Sequence, residues 1–191
     1  GGNMRRKDDE KEQRIKEAVI EVVLAEGFGG ASISKIAKQA EVSPATVYIY
    51  HENKESMLQS IYVECAEELY EDLIRGVQGE QDGEIIIENL IREYYKFMIH
   101  HEKLFSFVEQ FGSSPALTHK CSQISGINKM MCLLQKWQET NIFRSYNAIN
   151  VYALLFHPVK MLAAKAISCN VDTTQLLEEL IHITQETLLE K

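Results

Sequence analysis

Residues 24–58 read LAEGFGGASISKIAKQAEVSPATVYIYHENKESML, and the residues just before them carry a helical pattern. Apolar side chains recur three and four positions apart from Ile15 to Ala25, which predicts a first helix over about 9–26. Asp9 followed by Glu12 is typical of a cap at the start of a helix, and Gly27 suits a left-handed end. A helix is therefore predicted to lead into the quoted stretch and to stop at its first glycine.

Two shorter helices are predicted within the quoted stretch. Ser32 can cap the first of them, and the residues expected to be buried there are Ile33, Ile36, Ala37 and Ala40. Glu41 and Val42 form the turn. Ser43 then caps the next helix, with Pro44 in its first turn, where no helical partner exists for the missing N–H. Helices joined by so short a turn cross steeply, and the projecting start of the second fits the major groove of DNA.

The run EGFGGASISKIAKQAEVSPATVYIYHENKESML, residues 26–58, resembles the DNA-binding domain of the tetracycline-repressor (TetR) family of bacterial transcription regulators. The match holds at nearly every fixed position of the family pattern but covers little of the remaining chain. It departs from the pattern at His51, where the family usually has Phe. Histidine there would weaken the packing of the third helix on the fourth or titrate near neutral pH. A simply tolerated substitution is the plainer interpretation.

The resemblance implies, residue for residue, which side chains face DNA. Tyr48 and Thr46 would make phosphate and base contacts, whereas Ala45 and Ile49 offer only apolar contact to a thymine methyl group. Lys54 would meet a phosphate from the start of the fourth helix. The full implied set is Ser32, Ser34, Ser43, Pro44, Ala45, Thr46, Tyr48, Ile49, Tyr50 and Lys54.

The charge of the chain is unevenly distributed. The net charge is -8, and residues 1–55 hold nine Lys or Arg against ten Asp or Glu, so most of the acidity lies in the remainder. Non-specific DNA affinity is almost wholly electrostatic, and so modest a basic surface predicts weak background binding. Fitted contacts to a defined palindromic operator are therefore expected to supply the affinity.

Several classes of protein are disfavoured by composition and motifs. Four cysteines stand far apart with no CxxC pair, so neither a zinc site nor a secreted disulfide framework is expected, and no metal or cofactor is predicted. No apolar run approaches the ~20 residues of a membrane span, and a cytoplasmic protein without membrane contact is expected. An enzyme is disfavoured because no activated nucleophile, phosphate-binding glycine loop or carboxylate pair is recognisable. Residues 1–3, ahead of Met4, are interpreted as a tag remnant.

Beyond Asn53, a predicted cap, the pattern changes to long helices. These are expected at about 54–77, 84–101, 103–111, 115–140, 147–168 and 172–189, which gives an all-α chain of about nine helices. Pro158 should kink the helix that contains it. Residues 1–54 are predicted to form the helix-turn-helix DNA-binding domain, and residues 55–191 a helical domain for effector binding and dimerisation.

The last two predicted helices are apolar around too much of their circumference for a surface position. A twofold dimer through a four-helix bundle accounts for the surplus and is what the resemblance implies, while a deep core within one chain is the alternative. The predicted dimer interface is Leu155, Val159, Leu162, Ala163, Ala166, Leu176, Leu177, Leu180, Ile181 and Thr184.

Aromatic and methionine side chains concentrate in the middle helices, where they suit a pocket for an apolar or aromatic small molecule. The predicted lining is Tyr94, Phe97, Met98, Phe105, Phe107, Phe111, Met130, Leu134, Trp137, Tyr152 and Phe156. Each of these residues is equally a candidate for plain core. We expect a homodimeric repressor that a small effector releases from double-stranded DNA. The alternative is a helix-turn-helix regulator that responds to a partner protein, or activates, without a small-molecule effector.

Overall fold

The computed structural model describes residues 2–112 and 124–190, and these residues form nine helices and no strand. In chain order the helices are α1 (Gly2–Gly30), α2 (Ile33–Gln39), α3 (Pro44–Tyr50), α4 (Lys54–Gly76), α5 (Gly83–His100), α6 (Glu102–Gly112), α7 (Ser125–Glu139), α8 (Ala148–Cys169) and α9 (Thr174–Leu188). The predicted all-α fold class is confirmed. None of the described helices is long and apolar enough to cross a membrane.

Helix α1 differs from its prediction at both ends. It runs through Asp9 and Glu12, so these residues lie within the helix and the predicted cap is wrong. The predicted break at Gly27 is present, with φ 74° and ψ 170°, although this ψ is not that of the left-handed helical region. One further turn follows Gly27 before the helix ends at Gly30.

The two predicted caps of the helix-turn-helix are confirmed. The Ser32 hydroxyl accepts a hydrogen bond from the Lys35 N–H at 3.2 Å, and the Ser43 hydroxyl accepts one from the Thr46 N–H at 3.1 Å. In the turn between them, Glu41 takes a positive φ of 56°. Helices α2 and α3 pack on each other. The buried residues there are Ile36 and Ala37 of α2, Ala40 just after it and Val47 of α3. Ile33, which was predicted to be buried, is only half-buried.

The chain divides into two compact units. Among the described residues, the first unit comprises 2–65 and 103–112, which contain α1 to α3, the first half of α4 and most of α6. Its core includes Ile15, Val19, Val23, Ile36, Val47, Met57, Leu58, Ile61 and Phe107. The division into a DNA-binding domain over residues 1–54 and an effector-binding and dimerisation domain over 55–191 concerns function, and it stays a prediction.

The second unit comprises residues 66–102 and 124–190 and is built around α8. Helix α8 packs against α5, α7 and α9, and α9 also packs against α5. The buried side chains between them include Ile86, Leu90, Ile91, Met130, Leu134, Val151, Leu155, Val159 and Ala163. Pro158 lies inside α8, which continues beyond it to Cys169.

Candidate nucleic-acid interface and ligand region

Helix α3 buries Val47 and turns most of its other side chains outward. Tyr48 is 56% exposed and Ile49 is 78% exposed, and both lie on the free surface of the helix. Ser43, Pro44 and Ala45 at its start are exposed as well, as is Ser34 on α2. Six of the residues that the sequence assigned to DNA contact are therefore available to a partner.

The start of α3 uses some of its polar groups internally. The Thr46 hydroxyl lies 2.9 Å from the Ser43 hydroxyl, whose oxygen also accepts the Thr46 N–H. Ser32 plays the same part at the start of α2. These hydroxyls hold the first turns of α2 and α3 through hydrogen bonds. A DNA contact from the hydroxyl of Thr46 or Ser32 would therefore be made by a group that already takes part in a hydrogen bond within the protein.

Tyr50 and Lys54 are turned towards the rest of the first unit. The Tyr50 hydroxyl donates to the Asp8 carbonyl at 3.4 Å, and partial desolvation raises the pKa of this phenol. The Lys54 ammonium donates to the Phe28 carbonyl at 2.9 Å and to the Ala31 carbonyl at 3.1 Å. None of these three contacts was predicted, because all three acceptors are backbone carbonyls of helix α1 or of the turn that follows it.

His51 follows α3 and lines a small polar cavity of about 120 Å³. The cavity is also lined by the carboxylates of Asp9, Glu12 and Glu64 and by the ammonium group of Lys16. Burial lowers the pKa of the His51 imidazole below its ordinary value of 6.5, and the charges of Glu12 and Glu64 oppose that effect. Two of the lining residues pair with each other, since Lys16 donates to the Glu64 carboxylate at 2.9 Å.

The residues predicted to line an effector pocket are largely packed in the core. Phe156 is buried, with its ring 5.1 Å from that of Tyr94 and 4.9 Å from that of Tyr152, centroid to centroid. The buried members are Met98, Phe105, Phe107, Met130, Leu134, Trp137 and Phe156, and the half-buried members are Tyr94, Phe97 and Tyr152. Phe105 and Phe107 belong to the first unit and the other described members to the second. The Phe111 side chain lies outside the described residues.

Two cavities in the second unit adjoin these residues. One of about 580 Å³ lies at the end of α4, lined by the 77–81 segment and by Leu133, Lys136 and Trp137 of α7. Another of about 640 Å³ shares Ile74, Leu133 and Lys136 with it and extends to Ser125. Among the described residues that were predicted to line an effector pocket, Trp137 lines the first of these two cavities. Sequence periodicity missed Leu133, because Leu134 beside it carries the buried position of α7.

The predicted dimer residues divide into buried and exposed sets. Leu155, Val159 and Ala163 are fully buried within the second unit, and Leu162, Leu177, Ile181 and Thr184 are also buried. Within one chain these residues belong to the protomer core, and their assignment to an interface between two chains stays a prediction. Ala166 and Leu180 are half-buried, and Leu176 is exposed. Three apolar residues of the same helices that the predicted interface did not include are exposed: Leu154, Met161 and Ile183.

No group of three or more His, Cys, Asp or Glu side chains within the described ranges is arranged to hold a metal ion. The histidines of α5 and its end illustrate the point. His101 stacks its ring on Phe97 with centroids 4.5 Å apart, and His100 is exposed on the helix before it.

Comparison with known proteins identifies the N-terminal segment. Residues 15–61 match the family model described as bacterial regulatory proteins, tetR family. The fatty acid metabolism regulator protein of Bacillus subtilis is 27% identical over 116 residues, 60% of this chain and 60% of that protein. The nicotine-responsive transcriptional repressor of Paenarthrobacter nicotinovorans is 27% identical over 93 residues, 49% and 48% of the two chains. The chain thus spans about half to three fifths of the length of these relatives.

Solved structures share the fold over nearly the full length. A TetR family transcription regulator from Marinobacter aquaeolei superposes with a TM-score of 0.84 at 20% identity, covering 98% of this chain and all of that one. The transcriptional regulator FadR from Bacillus subtilis, solved in complex with stearoyl-CoA, gives a TM-score of 0.75 at 20% identity, covering 90% and 96%. At these identities the superpositions establish the fold alone.

Proposed function

We propose that this chain, which belongs by its N-terminal segment to the tetR family of bacterial regulatory proteins, is a ligand-responsive dimeric repressor of transcription. It binds a palindromic operator in double-stranded DNA in the cytoplasm and leaves it when a small apolar effector binds. The observation that carries the proposal is the capped helix α3, which presents Tyr48 and Ile49 to solvent inside the matched segment.

The proposed DNA contacts follow from exposure on α3 and α2. The Tyr48 hydroxyl can donate to a phosphate or a base edge, and Ile49 beside it can pack on a thymine methyl group. Ser34, Ser43, Pro44 and Ala45 are exposed around them and would border the contact. Phosphate contacts set position and affinity, whereas the α3 side chains in the groove set sequence preference.

The proposed effector is a small, largely apolar molecule. Support comes from the two adjoining cavities of the second unit and from relatives named as a fatty acid metabolism regulator and a nicotine-responsive repressor. An effector releases DNA only to the extent that it binds the DNA-free arrangement more tightly than the DNA-bound one. A coupling of about 1–3 kcal/mol corresponds to a 5- to 150-fold loss of operator affinity.

The alternative is a regulator that responds to a partner protein and has no small-molecule effector. It is favoured by the packing of the predicted aromatic lining, where Phe156 contacts both Tyr94 and Tyr152. Trp137, the single tryptophan of the chain, lines a cavity. Its fluorescence can therefore distinguish a ligand-responsive regulator from one that responds to a partner protein. Stearoyl-CoA, nicotine and shorter acyl-CoA esters should be titrated against its fluorescence. A saturable change accompanied by loss of operator binding supports the ligand-responsive form, and no response from any compound supports the alternative.

Replacing Tyr48 by Ala tests the DNA-binding proposal. The operator is first obtained by selecting wild-type-bound DNA from a random-sequence pool. Tyr48→Ala should then weaken binding to that DNA by roughly 1–3 kcal/mol, because a phosphate or base contact is lost. Thermal unfolding should be unchanged, since Tyr48 is exposed.

A matched control for this test is Tyr146→Ala, which removes an exposed tyrosine from a loop of the second unit. It should leave operator affinity at the wild-type value. Equal affinities for Tyr48→Ala and the wild type in a gel-shift titration would remove α3 from the interface.

A further inference from the structure

The two adjoining cavities of the second unit form a groove between the end of α4 and one side of α7. Both are lined by Ile74, Leu133 and Lys136, and we call them together the α4–α7 groove. Lys129 and Cys132 extend its α7 side towards the start of that helix. These α7 residues recur three, four and seven positions apart, so they lie on one side of the helix.

The groove begins where α4 and α7 cross closely. A Cβ at Gly126 would lie 2.4 Å from the Tyr70 Cβ, and the Glu67 carboxylate accepts the Gly126 N–H at 2.8 Å. Ile74 lies about one turn beyond Tyr70 on α4. Leu133 lies about two turns beyond Gly126 on α7. The two walls of the groove are therefore fixed together near one end.

The floor of the groove is apolar. Trp137 and Val77 are buried, and Ile74, Leu133 and Ile142 are half-buried. The half-buried side chains leave apolar surface in contact with water, and covering it is favourable in proportion to its area. An extended apolar chain or ring system would therefore bind along this floor.

Two lysines on the α7 side give the groove a positive charge. Lys129 and Lys136 are exposed, and within the described ranges neither ammonium group has a hydrogen-bond or ion-pair partner. Acidic residues are not scarce, since residues 66–102 and 124–190 hold eight Lys or Arg against sixteen Asp or Glu. The two lysines lie about 10 Å apart along the helix axis, and their flexible stems allow both to approach one anion.

One carboxylate lies near these lysines and is already engaged. Among the described residues that line the groove, Glu80 alone is acidic. One of its oxygens accepts the N–H groups of Gln81 at 2.8 Å and of Asp82 at 2.9 Å. The two ammonium groups outnumber this carboxylate, so the groove attracts an anion and repels a cation.

We propose that the α4–α7 groove binds a soluble amphipathic anion. Lys129 and Lys136 bind its charged group, and its apolar part lies along the floor beside Trp137. The inference rests on the proposed function, and it narrows the effector from a largely apolar molecule to one that also carries a negative charge.

The charge preference can be measured with three decyl compounds of equal chain length: decanoate, decan-1-ol and decylamine. Each is titrated at neutral pH, below its micelle-forming concentration, against the fluorescence of Trp137, the single tryptophan of the chain. Decanoate should give a saturable change and bind about tenfold more tightly than decan-1-ol, because it gains charge-assisted hydrogen bonds from the ammonium groups. Decylamine should bind most weakly.

Replacing both lysines tests their part in binding. Lys129→Met combined with Lys136→Met should lower the affinity for decanoate about tenfold, to that for decan-1-ol, and leave the affinity for decan-1-ol unchanged. Lys129→Glu combined with Lys136→Glu should reverse the order, so that decylamine binds more tightly than decanoate. Both lysines are exposed, so thermal unfolding should stay at the wild-type temperature. If a double variant does not fold, Lys136→Met alone gives the same comparison with a smaller change.

The matched control is Lys165→Met, which removes an exposed lysine from α8 in the same unit. It should bind all three compounds as the wild type does. Equal binding of the three compounds to the wild type, no saturable response to decanoate, or wild-type decanoate affinity in the double Met variant would each overturn the site. Failure of the proposed function gives a different result, since decanoate would bind through the two lysines while the wild type selected no DNA from the random pool.

Discussion

Gly27 occupies backbone space that other residues avoid. Its φ of 74° and ψ of 170° lie in a region that is essentially restricted to glycine. A Cβ added there would meet no atom within 4 Å, so any cost of substitution comes from the backbone alone. We expect Gly27→Ala to lower the free energy of unfolding by about 1–3 kcal/mol, measured by urea denaturation.

Gly29 offers the control for that measurement. An added Cβ there also meets no atom within 4 Å, but its φ is not in the positive range. Gly29→Ala should be neutral or slightly stabilising, since alanine restricts the unfolded chain. Similar losses in the two variants would show that the conformation of Gly27 is not the cause.

His51 should make the stability of the first unit sensitive to acid. Burial depresses the pKa of its imidazole below 6.5, so the folded state favours the neutral form. The facing charges of Asp9, Glu12, Lys16 and Glu64 do not reverse this direction. The stability that His51 contributes is therefore fully present above pH 6.5 and is lost as the pH falls through its folded-state pKa.

Replacing His51 by Phe, the usual residue in the family pattern, tests that sign. His51→Phe should lose less stability than the wild type between neutral pH and about pH 5, compared by urea midpoints. His100→Gln, which removes an exposed histidine of α5, should keep the wild-type pH dependence. An equal acid loss in His51→Phe and the wild type would exclude His51 as the titrating group.

Sequence reasoning succeeded at residues whose partners are close in the chain and failed where the fold supplies the partner. Ser32 and Ser43 were found as caps because each bonds an N–H three residues later. The carbonyl partners of Lys54 lie 23 and 26 residues away, and nothing in the sequence pattern places them. The capping of α2 and α3 was therefore predictable, and the hydrogen bonds of Lys54 within the protein were not.

Helices α4 and α7 show the same contrast at the scale of whole elements. The residue before α7, Ile124, provides no side-chain cap, and the Glu67 carboxylate of α4 instead accepts the N–H groups of Ser125 and Gly126. A Cβ at Gly126 would lie 2.4 Å from the Tyr70 Cβ, so the glycine permits this close crossing. A cap contributed from a distant helix leaves no start signal in the local sequence. The part of the predicted 115–140 helix before residue 124 lies outside the described residues.

The two C-terminal helices reveal what an apolar pattern can and cannot decide. The surplus of apolar side chains on α8 and α9 was visible in the sequence and predicted that more than one face is covered. It could not tell which face meets the protomer core, because Leu155 and Leu154 are chemically identical and adjacent. Contacts with α5 and α7 select Leu155, Val159 and Ala163 for the core. The other face of α8, which carries Leu154, is exposed to solvent.

The second unit as a whole is held by polar links as well as by apolar packing. Arg92 of α5 donates to both oxygens of the Glu178 carboxylate on α9 at 2.7 Å and to Glu88 one turn earlier. Tyr70 of α4 pairs with Tyr152 of α8, and Tyr95 of α5 pairs with Thr173 just before α9. These links fix α8 and α9 against the unit, so their outward faces form a stable surface.

That surface carries the proposed dimer and its test. Met161 is 53% exposed and Ile183 is 52% exposed, and an arginine at either would put an unpaired charge into an apolar seam between two chains. Sedimentation should show a dimer for the wild type at micromolar concentration. Met161→Arg should be monomeric and should lose operator binding in parallel, because one helix-turn-helix contacts only half of a palindromic site. Ile85→Arg, a matched change at an exposed isoleucine of α5, should remain dimeric. Leu180 is a poorer test position because it is half-buried, and a charge there would also disturb the protomer. A dimer that survives Met161→Arg and Ile183→Arg together would place the interface on another face of the molecule.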